Sequence, residues 1–328
     1  MRWQGQTLTA EDPNALPGLQ TMAGLVRSVQ TPEFAGITFH EVRCRSALNR
    51  VPEASQVPFR WTINPYRGCS HGCVYCFARN THTYLDLDAG ADFDRQIVVK
   101  TNLPDVLRRE LARPSWTHEH VAMGTNTDPY QRAEGRYRLM PPVISALAGS
   151  RTPFSILTKG TLLARDLPLL SEAASRVKVS VSISLALLSE ELHRTLEPGT
   201  PTPRARLDLI RRIRAAGLPC GVLVAPVLPY LTDSDAHLEP LVRQLTAAGA
   251  TSISGIALHL RPGTREWFFT WLRRTHPELV DRYAQLYARR AYVPKAYADD
   301  LRHRLAAIKR TLDPVGPAPA RPGRQPRS

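Results

Sequence analysis

Short apolar and β-branched runs alternate along the chain with longer stretches of helical period. The runs are WTIN (61–64), HVAMG (120–124), FSILT (154–158), VKVSVSIS (177–184), CGVLVAP (220–226) and SISGIAL (252–258). Their continuous character predicts strands of a parallel sheet covered on both faces. Helix-length segments separate them at 138–149, 162–175, 203–216, 234–248 and 264–290, with another at 103–112 before the second strand. The segment from Pro203 carries clear boundary signals. Thr202 stands at a cap position, Pro203 opens the first turn, Leu207, Ile210 and Ile213 recur at helical spacing, and Gly217 ends it.

Six strand-then-helix units require crossover connections and hence a parallel sheet. Six are too few for a closed eight-stranded barrel. An α/β fold is therefore predicted, with an open, partial (β/α)6 TIM-type barrel and a doubly wound sheet both left standing by the strand count. In either, a ligand site lies at the C-terminal ends of the strands. Residues 1–58 are rich in turn formers without sustained period and predict an irregular N-terminal extension. The barrel with its C-terminal helices is expected over 59–312. Residues 313–328 predict a disordered basic tail, with five Pro and three Arg in the last fifteen positions.

With 43% hydrophobic residues the 328-residue chain can bury a large core, which excludes wholesale disorder. The start of the chain has early acidic residues and no apolar stretch, so no secretory signal is expected. The longest uncharged run, 215–232, contains Pro219, Pro226 and Pro229, which argues against a membrane span. A cytoplasmic protein is the expectation. The net charge of +14 invites a nucleic-acid partner. However, 38 of the 43 basic residues are Arg, alongside 28 Pro, a bias that fits a GC-rich genome equally well. Arg206, Arg211, Arg212 and Arg214 share the Pro203 helix and read as a solvated surface.

The five cysteines, Cys44, Cys69, Cys73, Cys76 and Cys220, are odd in number, and three fall within eight residues. That pattern suits a metal or cluster site in a reducing compartment rather than a disulfide framework. Cys69, Cys73 and Cys76 lie in NPYRGCSHGCVYCFARN with spacing Cys-x3-Cys-x2-Cys, directly after the first predicted strand. Thiolates suit iron–sulfur clusters, zinc or Cu(I). His71 lies between the cysteines, but no second Cys pair exists to complete a zinc site. Three thiolates on one tight loop match three irons of a [4Fe-4S] cube with the fourth left open. Gly68 and Gly72 permit the close wrap.

Cys-x3-Cys-x-aromatic-Cys, with Tyr75 in the aromatic place, resembles the radical S-adenosylmethionine (SAM) signature. The wider context, NPYRGC…YCFAR, GTNTDPYQ…E, TKG, LEPGTPTPRARL and APVLPYLTD, resembles the branch related to spore photoproduct lyase, over about residues 40–290. The resemblance implies a [4Fe-4S] cluster on Cys69, Cys73 and Cys76, whose open iron is chelated by S-adenosyl-L-methionine. It also implies reductive cleavage to a 5′-deoxyadenosyl radical that abstracts hydrogen from a substrate, and a low-potential electron donor such as flavodoxin or ferredoxin. Tyr75 matches the position that meets the adenine. Where the family group carries a Gly-Gly-Glu-like segment for the SAM amino group, this chain has Gly124, Thr125, Asn126, Thr127 and Asp128, with Asp128 the favoured acceptor. Lys159, Ser182 and Ser184 are expected toward the methionine carboxylate or ribose. Glu197 and Arg206 form either a salt bridge or a SAM contact. Pro226 and His259 are placed at the pocket rim.

His118, Glu119 and His120 precede the second strand and read as surface. Tyr283, Tyr287, Tyr292 and Tyr297 read as a packing stripe or, alternatively, a hydrogen-atom relay. No cysteine lies between Cys76 and Cys220, so the hydrogen-returning thiol of spore photoproduct lyase has no counterpart, and Cys220 reads as a small buried hydrophobe. Two rival readings stand beside this one: a zinc-stabilised nucleic-acid-binding module, and an iron–sulfur electron carrier without SAM chemistry.

Overall fold

The computed structural model of the protein describes residues 22–55 and 57–312. The strands in chain order are β1 (Leu25–Val29), β2 (Thr38–Val42), β3 (Leu48–Arg50), β4 (Trp61–Ile63), β5 (Tyr66–Arg67), β6 (Gln96–Lys100), β7 (Val121–Met123), β8 (Phe154–Thr158), β9 (Val179–Ser184), β10 (Cys220–Val227) and β11 (Ser252–Ala257). Seven form the larger sheet in the order β11-β10-β9-β8-β7-β4-β3. Its six strands from β4 to β11 are parallel, and β3 adds antiparallel at one edge. No ladder joins β3 to β11 among the described residues, so the barrel is open.

The helices pack on one face of this sheet. Val121, Phe154, Ile156, Val179, Val181, Ile183, Val222 and Val224 point into that interface, the main core. The expectation of strands covered on both faces does not hold. In β8 and β9 every second residue up to Ser182 is only half-buried, and Ser155, opposite Ser180, and Leu157, opposite Ser182, line the inside of the open barrel. An eight-stranded barrel fills its interior with bulky side chains. Here small and hydroxylic residues leave room. The edge strand β11 is covered on its outer face by the helix Lys295–Leu312, and Gly255 lets Leu305 pack closely there: a Cβ would stand 2.2 Å from Leu305 Cδ1.

The N-terminal stretch differs from the irregular extension expected for 1–58. β1, β2 and β3 lie within it, and a second sheet runs β1-β2-β6-β5. β6, which pattern alone did not single out, pairs parallel with β2 and antiparallel with β5. Ile37, Phe39, Tyr66, Ile97, Val99 and Leu139 form a separate core on this sheet. Its role is positional, since β5 runs directly into Gly68 and Cys69 and fixes the start of the cysteine loop. Residues 1–21 and the expected tail at 313–328 lie outside the described residues. The predicted helix at 264–290 is broken into Thr264–Thr275, a 3-10 turn at Pro277–Leu279, and Val280–Leu286, because Pro277 interrupts it. No described helix is long and apolar enough to cross a membrane.

Candidate metal centre

The cysteine loop follows β5 at the C-terminal end of the parallel strands. Gly68 (φ +80°) turns the chain under Phe93 and Gln96; a Cβ there would lie 2.9 Å from the Phe93 carbonyl oxygen. Cys69 N–H then donates to that same carbonyl at 2.9 Å, Gly72 N–H to Cys69 O at 3.2 Å, and Cys76 N–H to Cys73 O at 3.2 Å. The carbonyls of the loop are tied from outside by distant side chains. Thr127 Oγ1 (2.7 Å) and Gln131 Nε2 (3.0 Å) donate to Gly68 O, and Thr264 Oγ1 to Cys76 O at 2.8 Å. Gly199 N–H donates to His71 O at 2.9 Å.

Cys73 O is held by Arg79, which is wholly buried. Its Nε and NH2 donate to that carbonyl at 3.1 and 2.9 Å, its NH2 reaches both Asp94 oxygens at 2.9 Å, and its plane lies between Phe93 and Trp267. Such stacked, multidentate use of a guanidinium is not available to Lys. Sequence reasoning did not single out Arg79, for one Arg among 38 carries no signal. Gly199 was also missed. A Cβ on it would sit 2.1 Å from Ser70 O, so only glycine lets this segment lie against the cysteine loop. Gly199→Ala is expected to displace the loop and lower bound iron severalfold while the fold is retained, as read by iron assay alongside circular dichroism.

Cys69 and Cys73 are buried and Cys76 is partly so. Burial pushes all three thiols up, and neighbouring thiolate charge adds to this at Cys69 and Cys73. Thiolates gathered in this way are stabilised by cationic ligation, which deprotonates a thiol outright. Among the described residues no three His, Cys, Asp or Glu side chains are grouped as a single-ion site would need. All five cysteines are free, and Cys220 is buried in the main core.

A buried charged network lies beneath the loop. Tyr75 Oη donates to Glu197 Oε1, Arg206 NH2 donates to Glu197 Oε2 at 2.5 Å, and Lys159 Nζ stands 3.6 Å from Glu197 and 2.5 Å from Ser184 Oγ. Burial works to raise the Glu197 pKa, yet Arg206 and Lys159 outweigh it and hold the carboxyl far below the usual range. The Glu197–Arg206 salt bridge is therefore present. Arg206, expected as a cofactor contact, is fully buried behind Glu197, with NH1 on Ser184 O at 2.9 Å.

Asp128 was the favoured amino-group acceptor. Its oxygens are already taken by Thr158 Oγ1 (2.5 Å), Lys159 N–H (2.7 Å) and Tyr130 N–H (2.9 Å), with His71 Nδ1 at 3.3 Å. Despite burial, His71 and these donors keep it ionised. Thr127 is likewise spent on Gly68 O. Of that stretch Gly124 and Thr125 are part-exposed and Asn126 exposed at the end of β7, with Thr125 Oγ1 and Asn126 N–H donating long hydrogen bonds to Asn64 Oδ1 at 3.5 and 3.4 Å. Ser182 is half-buried on the inner face of β9.

At the barrel mouth, His259 stacks on Tyr292 at 5.2 Å between centroids and Phe77 lies tilted against His259 at 5.5 Å; Phe77 and Tyr292 are exposed. Arg261 lies over Phe77 and donates to Tyr292 Oη at 2.8 Å. Phe77 was not foreseen, although it follows Cys76 directly. Pro226 lies near the end of β10. Tyr283 and Tyr287 are buried and bonded to Pro229 O and Leu258 O, so they pack. His120 Nε2 meets Ser155 Oγ at 2.9 Å, at the N-terminal end of the sheet.

The sequence profile of the radical SAM superfamily matches residues 63–239. An uncharacterized protein of Mycobacterium tuberculosis is 63% identical over 312 residues, covering 94% of this chain and 92% of its own. An uncharacterized protein of Methanocaldococcus jannaschii is 26% identical over 195 residues, covering 59% and 69%. Among solved structures, a spore photoproduct lyase complexed with dinucleoside spore photoproduct superposes with a TM-score of 0.61 at 16% identity, over 84% of this chain and 80% of that one. A mutant of that lyase with bound AdoMet and the dinucleoside gives 0.59 at 16% identity, over 80% and 76%.

Proposed function

The chain belongs to the radical SAM superfamily, and from that premise we propose that it binds a [4Fe-4S] cluster through Cys69, Cys73 and Cys76 and cleaves S-adenosylmethionine reductively. The observation that carries the reading is a single loop with three buried or part-buried thiols whose carbonyls are tied outward by Thr127, Gln131, Gly199, Arg79 and Thr264. The donor set fits a cluster held by three cysteines with one iron left for another ligand. When bound, the reduced cluster and SAM supply a 5′-deoxyadenosyl radical that takes a hydrogen atom from substrate.

The chain's own residues then divide into two groups. Gly124, Thr125 and Asn126 stand where the SAM amino group would be received, Lys159, held by Ser184 and Glu197, where its carboxylate would lie, and Ser182 where a ribose hydroxyl would lie. Tyr75 meets the adenine through its backbone, its hydroxyl being given to Glu197. Thr127, Asp128 and Arg206 act from behind, bracing the loop and the network. The Phe77, His259 and Tyr292 rings with Arg261 fit a substrate bearing a planar ring, and the net charge of +14 is compatible with a nucleic acid within that class. The five free thiols suit a reducing, cytoplasmic setting with flavodoxin or ferredoxin as electron donor.

The test is anaerobic reconstitution with iron and sulfide, reduction by dithionite in the presence of SAM, and chromatography for 5′-deoxyadenosine. Cluster-dependent product is expected. Stoichiometric zinc in place of iron, or a reducible cluster that leaves SAM intact, overturns the reading.

A further inference from the structure

A surface groove of about 400 Å³ reaches the cysteine loop from outside, with Phe34, His71, Tyr130, Arg132, Gly160 and Thr200 in its wall. His71 stands between Cys69 and Cys73, so the cysteine loop contributes to the lining of this groove. One short segment shapes both sides of that wall. Its inward side chains hold the loop: Gln131 donates to Gly68 O at 3.0 Å and accepts from Ser70 N–H at 2.9 Å. Outward from the same segment stand Arg132, Arg136 and Arg138, all exposed.

Arg136 lies within electrostatic reach of Glu33 and Glu41. Arg132 and Arg138 enter no ion pair among the described residues. Arg132 instead lies 5.3 Å over the Phe34 ring and donates to the Glu33 carbonyl at 3.3 Å, which fixes its charge at the rim of the groove. Arg132 in the wall and Arg138 exposed on the same segment give this side of the groove a positive charge complementary to an acidic protein surface.

We propose that this groove is the docking surface for the acidic one-electron carrier protein that reduces the cluster. The inference rests on the radical SAM reading above. The step moves one electron from the reduced carrier to the oxidised cluster, with no bond made or broken and no proton transferred. Steering by Arg132 and Arg138 sets the rate of encounter, while the chemistry after reduction is unchanged.

The experiment uses the reconstituted full-length protein and reduced flavodoxin in anaerobic stopped flow, followed by cluster bleaching. For Arg132→Glu/Arg138→Glu the second-order rate should fall about tenfold or more at low salt, and the steep salt dependence of the unaltered protein should flatten. Dithionite reduction and dithionite-driven 5′-deoxyadenosine should match the unaltered protein. Arg211→Glu/Arg212→Glu makes the same charge change on the exposed face of the Pro203–Ala215 helix and should leave the flavodoxin rate near normal. Equal slowing in both variants, or an unchanged rate in the first, overturns the docking surface. If dithionite yields no 5′-deoxyadenosine in any protein, the unaltered one included, the radical SAM reading has failed instead.

Discussion

Cys73→Ala should leave the protein folded but unable to hold its cluster, with 5′-deoxyadenosine formation reduced by more than about 100-fold, beyond what loss of an outer-shell partner causes. The position is the informative one of the three. Its backbone carbonyl is held by two nitrogens of Arg79, and that grip survives removal of the thiol. The loss therefore reports ligation rather than loop collapse. Iron and sulfide content and the visible absorbance of the reconstituted protein measure the first effect, and chromatography the second. Cys220→Ala is the matched control, since that thiol is buried in the core far along the sheet from the loop. It should keep full iron loading. A Cys73→Ala protein that retains both iron and turnover would remove the loop from the chemistry.

Glu197→Gln should be the most destabilising single change in the buried network. The wild-type carboxylate neutralises Arg206, fully buried, and Lys159, largely so. Removing one partner of a buried pair leaves uncompensated charge and costs about 3–5 kcal/mol. For a chain of this length that corresponds to a melting temperature lowered by roughly 5 °C. The pH dependence has a definite sign. The folded pKa of Glu197 lies below its unfolded value near 4.5, so its contribution is complete above that value and is lost as pH falls toward the folded pKa. The gap between the two proteins should be widest at neutral pH and narrow below about 4.5. Adding Arg206→Met to Glu197→Gln should restore part of the loss, because the remaining buried cation is then reduced to Lys159. Calorimetry across pH checks all three statements; a gap independent of pH would sink the electrostatic account.

Much of the larger sheet was legible because its strands are written as uninterrupted apolar runs. FSILT coincides with β8, and VKVSVSIS overruns β9 by two residues at its start. The smaller sheet was not legible. Its members come from separated segments, and β1 is largely exposed, so LVRSV carries no alternation that periodicity could register. The cysteine triplet announced itself through spacing. The residues that hold it did not, because Arg79, Thr264 and Gly199 act through tertiary contacts with ordinary-looking sequence around them. The donors on Asp128 were equally out of reach of the sequence, since they come from β8 and the loop beyond, and from His71. Glu197 and Arg206 were recognisable as a pair, while their burial was not.

The clamp on Cys76 has a consequence for how the protein is made. Its carbonyl partner Thr264 lies 188 residues downstream, and Trp267, which stacks on Arg79, follows three residues later. During synthesis the three cysteines leave the ribosome long before either residue exists. For that interval the loop lacks the Thr264 hydrogen bond and the Trp267 contact on Arg79. Cluster insertion is thereby tied to near-completion of the chain, and truncated nascent products should emerge without iron.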